Sequence, residues 1–258
     1  MIDLRTALRS HVGKVRQVNE DQAWSGTLGD GMTVAIVADG MGGHRAGDVA
    51  SGLAVDSIVA SLQDWKPDEA LSDKAELLRG WIRKANEVVF ETASLNEQYH
   101  NMGTTVVVAF IEGDGGWIGH IGDSRAYRYR GGELSQLTED HTLVNELTKS
   151  GQLSPEEAAT HPRRNVLTRA LGTDRDVEVD VRPFDWQPGD RLILCSDGLS
   201  GLVEPSLLLQ AMEDREADLD EQADRLIELA LDAGGDDNVT VVLVADDVAA
   251  DATGGVTA

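Results

Sequence analysis

Short apolar stretches recur along the chain, and several of them end at Gly or Asp-Gly. They are rich in β-branched and aliphatic residues, which is the pattern of strands buried in a packed sheet. These stretches are 33–40, 104–113, 116–138, 189–198 and 238–246. The 116–138 stretch predicts strands around turns, with Arg130–Glu133 as a hairpin.

Helical periodicity occupies the segments between these strands. In 71–95 one apolar stripe has helical spacing, formed by Leu77, Leu78, Trp81, Ile82, Ala85, Val88 and Val89. Further helices are predicted over 46–62, near 205–213 and over 219–233. Shorter helices are predicted in 142–160, broken around Gly151 and Ser154-Pro155. Because strands come in runs and helices in blocks, the order favours a mainly antiparallel sheet system with helices packed outside, rather than a doubly wound parallel sheet.

Length and composition limit the number of domains and the cellular location that we expect. The 258 residues are expected to form one domain over 1–247, with a small polar tail over 248–258 that is expected to be disordered. Cys195 is the one cysteine, so no internal disulfide can form, which suits the cytosol. With no apolar run typical of a signal peptide or a membrane span, we expect a cytoplasmic protein with no membrane partner.

The formal charge of −24 makes nucleic acid an unfavourable partner, because phosphate backbones attract basic surfaces. The acidic excess has two interpretations that do not exclude each other. It can form solvated faces, or it can form carboxylate clusters that hold cations.

The positions of four aspartates favour a cation site. Asp39, Asp123, Asp197 and Asp237 each lie at the margin of a predicted strand, and Glu20-Asp21 closes the early segment RQVNED. One such carboxylate can cap a turn, but several at one edge would repel one another unless cations compensate them. Oxygen-only ligands favour Mg²⁺ or Mn²⁺, and no zinc-like cluster of Cys or His ligands is visible.

As a set, the motifs resemble the bacterial metal-dependent serine/threonine protein phosphatases of type 2C. The matching segments, within a likeness that covers about 6–245, are RQVNED (16–21), VADGMGGH (37–44), GDSR (122–125), HPRRNVLTRALG (161–172), SDGL (196–199) and DNVT (237–240). The resemblance implies an α+β fold with a central β-sandwich of two antiparallel sheets and helices on both outer faces, a four-layer αββα arrangement. It also implies hydrolysis of phosphoserine and phosphothreonine monoesters by metal-activated water at a binuclear Mn²⁺ or Mg²⁺ centre.

The resemblance assigns the metal ligands by motif. Asp39 would bridge both metals, and the Gly40 carbonyl would bind the second. Asp197 and Asp237 would hold the first. Asp123 would hold a third, weaker metal with help from Asp197.

Four further residues are candidates around the metals. Glu20 and Asp21 would orient metal-bound waters or lie at the second metal. Arg16 matches the family's phosphate-binding arginine, since a guanidinium can hold two phosphate oxygens, although a surface ion pair is the alternative. Many eukaryotic members have a histidine where this chain has Met41. His44 follows closely in the same glycine-rich segment and could protonate the leaving group instead.

The segment 142–170 would be a flap beside the site. It carries a basic cluster of His161, Arg163, Arg164 and Arg169 in an otherwise acidic chain. We expect His161, Arg164 and Arg169 to dock phosphorylated protein substrates. A helix-end charge pattern is an equally weighted explanation of the cluster.

The natural partners by resemblance are phosphorylated proteins, including a bacterial serine/threonine kinase that the enzyme would oppose, and nothing demands more than a monomer. The alternative is a phosphoprotein-binding pseudophosphatase, although such a protein should have lost metal carboxylates that are all present here. A two-metal phosphodiesterase or nuclease is disfavoured by the acidic charge and the absence of a basic groove. A cysteine phosphatase is excluded, because Gly201 stands where Cys195 would need an arginine. Serine-hydrolase and P-loop motifs are absent.

Overall fold

The computed structural model describes residues 4–28, 31–42, 46–65, 73–214 and 217–246. Predictions for His44 and for the tail 248–258 fall outside these described residues. No helix in the described part of the chain is both long and apolar enough to cross a membrane.

Eleven strands and seven α-helices make up the described fold. The strands are β1 (Leu4–His11), β2 (Asp21–Leu28), β3 (Met32–Met41), β4 (Gly103–Thr104), β5 (Val106–Glu112), β6 (Gly115–Ile121), β7 (Arg125–Arg130), β8 (Glu133–Gln136), β9 (Asp180–Asp185), β10 (Arg191–Cys195) and β11 (Val239–Asp246). The helices are α1 (Ala46–Asp64), α2 (Lys74–Leu95), α3 (Leu143–Lys149), α4 (Pro155–Ala159), α5 (Asp197–Ser200), α6 (Pro205–Glu213) and α7 (Leu219–Asp232).

Two antiparallel sheets form the centre. One has the order β1-β11-β10-β7-β8, and the other has the order β2-β3-β5-β6-β9 with β4 paired to β3. The predicted hairpin is confirmed, since Arg130 pairs with Glu133 at the β7–β8 turn. The expected antiparallel α+β sandwich is therefore confirmed.

Strand β3 shows how the residues divide among the layers. Val34 and Ile36 pack into a core shared with α1 and α2, whereas Ala35 and Val37 pack into the core between the two sheets. Both faces of this strand are buried, which explains why its sequence is a continuous apolar run rather than an alternation. On the far side, α6 and α7 cover the first sheet through a third core. The layer order is thus helix, sheet, sheet, helix.

Helix α2 confirms the predicted apolar stripe. Leu78, Trp81, Ile82, Ala85 and Val89 are buried against the second sheet. The helix begins after the Asp73 side chain, which accepts hydrogen bonds from the first backbone N–H groups and so satisfies donors that lack a helical partner.

Strand pairing places the motif aspartates at one edge of the sandwich. Asp21, the first residue of β2, lies opposite Asp39 near the end of β3. In the other sheet Cys195, the last residue of β10, lies between Arg125 of β7 and Val241 of β11. Asp123, Asp197 and Asp237 flank these three strand ends.

Candidate metal centre and active site

The five motif aspartates act on one another electrostatically. Burial raises the pKa of Asp39 well above its ordinary value, and the charges of Asp21, Asp197, Asp123 and Asp237 raise it further. Asp21 and Asp39 are cross-strand partners, and Asp123, Asp197 and Asp237 line one cavity, so the structure brings these carboxylates together. Like charges at this density in a buried site favour uptake of protons or of cations.

Three of the neighbouring carboxyl groups show the same effect. Burial, followed by repulsion from Asp197 and Asp237, raises the pKa of Asp21 to about 7 despite hydrogen bonds that oppose the shift. Burial and the charge of Asp197 raise the pKa of Asp123 to about 7. The pKa of Asp197 is also raised, by burial first and then by Asp237.

Two orphaned oxygens test whether cations fit here. Asp21 Oδ1 and Glu20 Oε1 are both buried and have no hydrogen-bond partner. Glu20 Oε1 lies against Gly47 at the start of α1, where a Cβ atom would come within 2.7 Å of it. A carboxylate cluster in which two buried oxygens lack a partner suits a hard divalent cation such as Mg²⁺ or Mn²⁺. The residues present therefore fit the metals that the motifs predict.

The glycines of the two Asp-Gly pairs lie in regular secondary structure. Gly40 lies within β3, and Gly198 lies in the single-turn helix α5, and neither has a positive φ. A Cβ on Gly40 would overlap the Gly47 carbonyl oxygen, and one on Gly198 would overlap the Asn238 carbonyl oxygen. Glycine is required here because backbones approach closely, and this approach brings α5 against the start of β11.

Hydroxyl groups beside the aspartates were not predicted as functional. Ser196 Oγ donates a 2.8 Å hydrogen bond to Asp21 Oδ2. Thr105 Oγ1 accepts a 3.0 Å bond from the Asp39 backbone N–H and lies 2.7 Å from Ser124 Oγ. These bonds fix the carboxylate-bearing strands relative to one another. Their only sequence signal is adjacency to the motif aspartates.

Asn238 holds the loop that carries Arg16. Its Nδ2 donates to the Val12 and Val18 carbonyl oxygens at 2.9 and 3.0 Å, and its Oδ1 accepts from the Glu20 backbone N–H at 2.8 Å. One amide side chain thus joins both ends of this loop to the last strand of the first sheet.

Arg16 lies at the solvent side of the cluster. Its Nη2 is 2.7 Å from Asp237 Oδ2, and its side chain is about half exposed (49%). Its charge also acts on Asp197, where it opposes the rise in pKa. The predicted phosphate-binding guanidinium therefore borders the carboxylates and can reach solvent.

A cavity of about 520 Å³ opens beside the cluster and contains one predicted substrate residue. Asp123, Asp197 and Asp237 line it, and so does Arg164 of the predicted flap. Arg169 instead pairs with Asp180 at 3.2 Å. Substrate binding by His161 and Arg169 stays a prediction.

The Arg of the GDSR motif has a structural partner. Arg125 forms a two-pronged ion pair with Asp140, with Nε and Nη2 at 2.9 and 2.6 Å from the carboxylate oxygens. It also donates to the Tyr127 hydroxyl at 2.9 Å. The motif therefore supplies a metal-ligand candidate in Asp123 and an anchor in Arg125.

Comparison with known proteins agrees with the site. Residues 9–241 match the Protein phosphatase 2C family. The chain belongs to this family, the class of metal-dependent phosphatases that its motifs resemble.

Relatives of known structure and name support this assignment. The chain is 41% identical to "Serine/threonine phosphatase stp" of Listeria monocytogenes over 249 residues, which cover 95% of this chain and 97% of the relative. The Mycobacterium tuberculosis phosphatase PstP/Ppp superposes with a TM-score of 0.84 at 41% identity, covering 94% and 98% of the two chains. A PstP catalytic domain in complex with two manganese ions superposes with a TM-score of 0.82 at 38% identity, covering 95% and 99%.

Proposed function

We infer that this chain is a metal-dependent phosphatase that hydrolyses phosphoserine and phosphothreonine monoesters in proteins. The observation that carries the inference is the convergence of five aspartates at one edge of the sandwich. Burial raises the pKa of four of them, Asp21, Asp39, Asp123 and Asp197, and oxygens of Asp21 and Glu20 are buried without a hydrogen-bond partner. Family membership and the names of the relatives point to the same chemistry.

We assign the metal ligands as the motifs suggest. Asp39 would hold two divalent cations together, with the Gly40 carbonyl on one and Asp197 and Asp237 on the other. A third, weaker ion would bind Asp123, and either Mn²⁺ or Mg²⁺ suits these oxygens. When bound, such cations neutralise charge at the phosphate and lower the pKa of a water molecule that attacks phosphorus.

Glu20 and Asp21 would accept hydrogen bonds from waters at this centre through their unpartnered oxygens. Arg16 would clamp two oxygens of the phosphate, exchanging its contact with Asp237 for the substrate.

His44 is our proposed proton donor to the leaving serine or threonine alkoxide. The His44→Ala variant is expected to lose more turnover on a phosphopeptide than on p-nitrophenyl phosphate, whose leaving group needs no proton. Equal losses on both substrates would contradict this role.

The cavity beside the cluster would receive the protein segment around the phosphorylated residue. Arg164 lines it together with Asp123, Asp197 and Asp237 and would contact the substrate. We propose that the substrates include a bacterial serine/threonine kinase and its targets, and that the enzyme acts as a cytoplasmic monomer.

Substrate discrimination tests the function and both alternatives. Metal-stripped protein resupplied with Mn²⁺ or Mg²⁺ should hydrolyse a phosphothreonine peptide far faster than bis(p-nitrophenyl) phosphate, a diester. Preference for the diester would identify a phosphodiesterase. Metal-dependent peptide binding without turnover would identify a pseudophosphatase.

A further inference from the structure

A buried histidine pair lies next to the metal-ligand candidate Asp123. His141 exchanges two hydrogen bonds with Gly122, the residue before Asp123. Its backbone N–H donates to the Gly122 carbonyl oxygen at 2.9 Å, and its Nδ1 accepts from the Gly122 N–H at 3.1 Å. Gly122 has a positive φ of 102°, so this contact holds a backbone conformation that few residues adopt.

These bonds define the tautomer of His141. Because Nδ1 accepts a hydrogen bond, the proton of the neutral ring is on Nε2. Nε2 lies 3.2 Å from Asp180 Oδ2 and donates to it. Asp180 in turn accepts from Arg169 at 3.2 Å through its other oxygen. The ring is thus held from both sides.

His120, His141 and Asp180 have donor atoms within 4.8 Å of one another, close enough to suggest a further metal site. The ring geometry argues against one. The two imidazoles stack with centroids 4.7 Å apart and an interplanar angle of 19°. Nitrogen lone pairs lie in the ring plane, so stacked rings do not aim at one ion. Both nitrogens of His141 are already engaged, and His120 Nε2 is 2.8 Å from the Glu139 carbonyl oxygen.

The same histidine also holds the base of the flap. The Thr168 N–H donates to the His141 carbonyl oxygen at 2.8 Å, and the Leu143 N–H donates to the Val166 carbonyl oxygen at 2.9 Å. The segment between these contacts carries α3, α4 and Arg164. His141 therefore connects the start and the end of the flap to the loop of Asp123.

We propose that His141, oriented by Asp180, is a positioning residue that sets the Asp123 carboxylate for its cation and fixes the flap beside it. The proposal rests on the proposed function for the role of Asp123. Through Gly122, His141 has the role of the outer partners that hold metal ligands in place in metalloproteins, whose loss weakens metal binding about 10- to 100-fold.

Two conservative variants separate the two bonds of the ring. His141→Asn keeps an acceptor near the position of Nδ1 and loses the donor to Asp180. His141→Gln keeps a donor near the position of Nε2 and loses the acceptor for Gly122. His141→Gln should therefore weaken the weakest Mn²⁺-binding step about 10-fold, whereas His141→Asn, which loses only the orienting bond to Asp180, should weaken it about threefold.

Mn²⁺ binding measured by calorimetry on the intact chain is the primary readout, with the Mn²⁺ dependence of peptide hydrolysis beside it. The exposed His100→Gln variant is the matched control. In an Asp123→Asn background, His141→Gln should weaken Mn²⁺ binding no further, because both changes act on the same ion.

Equal Mn²⁺ affinity for His141→Gln and the wild type would overturn the proposal, as would a full additional loss in the Asp123→Asn background. Should His141→Gln not fold, Asp180→Ala, which removes the same orienting bond that His141→Asn loses, is expected to weaken the same step about threefold, and no change there would overturn the proposal. Because calorimetry needs no substrate, absence of hydrolysis by the wild type would contradict the proposed function without deciding the role of His141.

Discussion

Asp21 should destabilise the metal-free protein at neutral pH. Burial raises its pKa from 3.8 to about 7, so between these values the unfolded chain releases a proton that the folded chain retains. The free energy of unfolding therefore falls as pH rises from about 4 to about 7. The contribution of Asp21 to stability is complete only below the pKa of the unfolded chain. A shift of about three pKa units corresponds to about 4 kcal/mol at 1.36 kcal/mol per unit.

The Asp21→Asn variant removes this penalty. Its amide oxygen can still accept the Ser196 hydrogen bond, and its amide nitrogen replaces the unpartnered oxygen with a donor that faces Asp39. Allowing for the change of polar group, we expect the metal-free variant to be about 2–4 kcal/mol more stable than the wild type at pH 8. At pH 4 the two should be nearly equal.

Urea unfolding of chelator-treated protein at pH 4 and pH 8 measures this difference. Asp56→Asn, on the exposed face of α1, is the matched control and should change stability by less than about 0.5 kcal/mol. Equal stability of Asp21→Asn and the wild type at pH 8, or the same gain at both pH values, would refute the reasoning.

Three further predictions test the packing of the fold. Gly198→Ala should lower the unfolding free energy by more than about 3 kcal/mol in urea titrations, because its Cβ would overlap a backbone carbonyl oxygen. Gly52→Ala, in open space on α1, should instead stabilise the protein by about 0.5–1 kcal/mol. Similar effects of both variants would contradict the close approach of the backbone to Gly198. Phe110→Ala should lower the unfolding free energy by about 3–5 kcal/mol, because the ring is buried among three tryptophans. Leu95 is 88% exposed, so Leu95→Ala should lower it by less than about 0.5 kcal/mol. A small loss for Phe110→Ala would argue against the packing of that core. Cys195 is buried with a thiol pKa raised to about 12, so it should react with a disulfide reagent only on unfolding, and rapid labelling of native protein would contradict this.

The sequence predicted the central strands better than the edge strands. Strands β3, β5, β10 and β11 are apolar on both faces and were recognised from that pattern. The strands that were missed, β1, β2 and β9, all lie at sheet edges. An edge strand is partly solvated and carries polar residues, so it lacks the apolar run on which the prediction depends.

The sequence predicted the metal-ligand candidates, because these residues lie within motifs. Asp39 and Asp197 carry a recognisable local sequence, but the residues that hold them do not. Ser196 and Thr105 reach Asp21 and Asp39 through side-chain hydrogen bonds between segments far apart in the sequence, which no local pattern encodes. The contact of His141 with Asp180 joins residues 39 positions apart and became visible only in the folded chain.

The central claim is that the aspartate cluster binds the cations on which phosphatase activity depends. Asp39→Asn tests it most directly, with Mn²⁺ binding by calorimetry and phosphothreonine peptide hydrolysis measured on the same folded samples. The account predicts that the wild type binds at least two Mn²⁺ ions and hydrolyses the peptide only when they are present, and that Asp39→Asn loses both properties. Metal-independent hydrolysis by the wild type, or unchanged Mn²⁺ binding and turnover in Asp39→Asn, would contradict it.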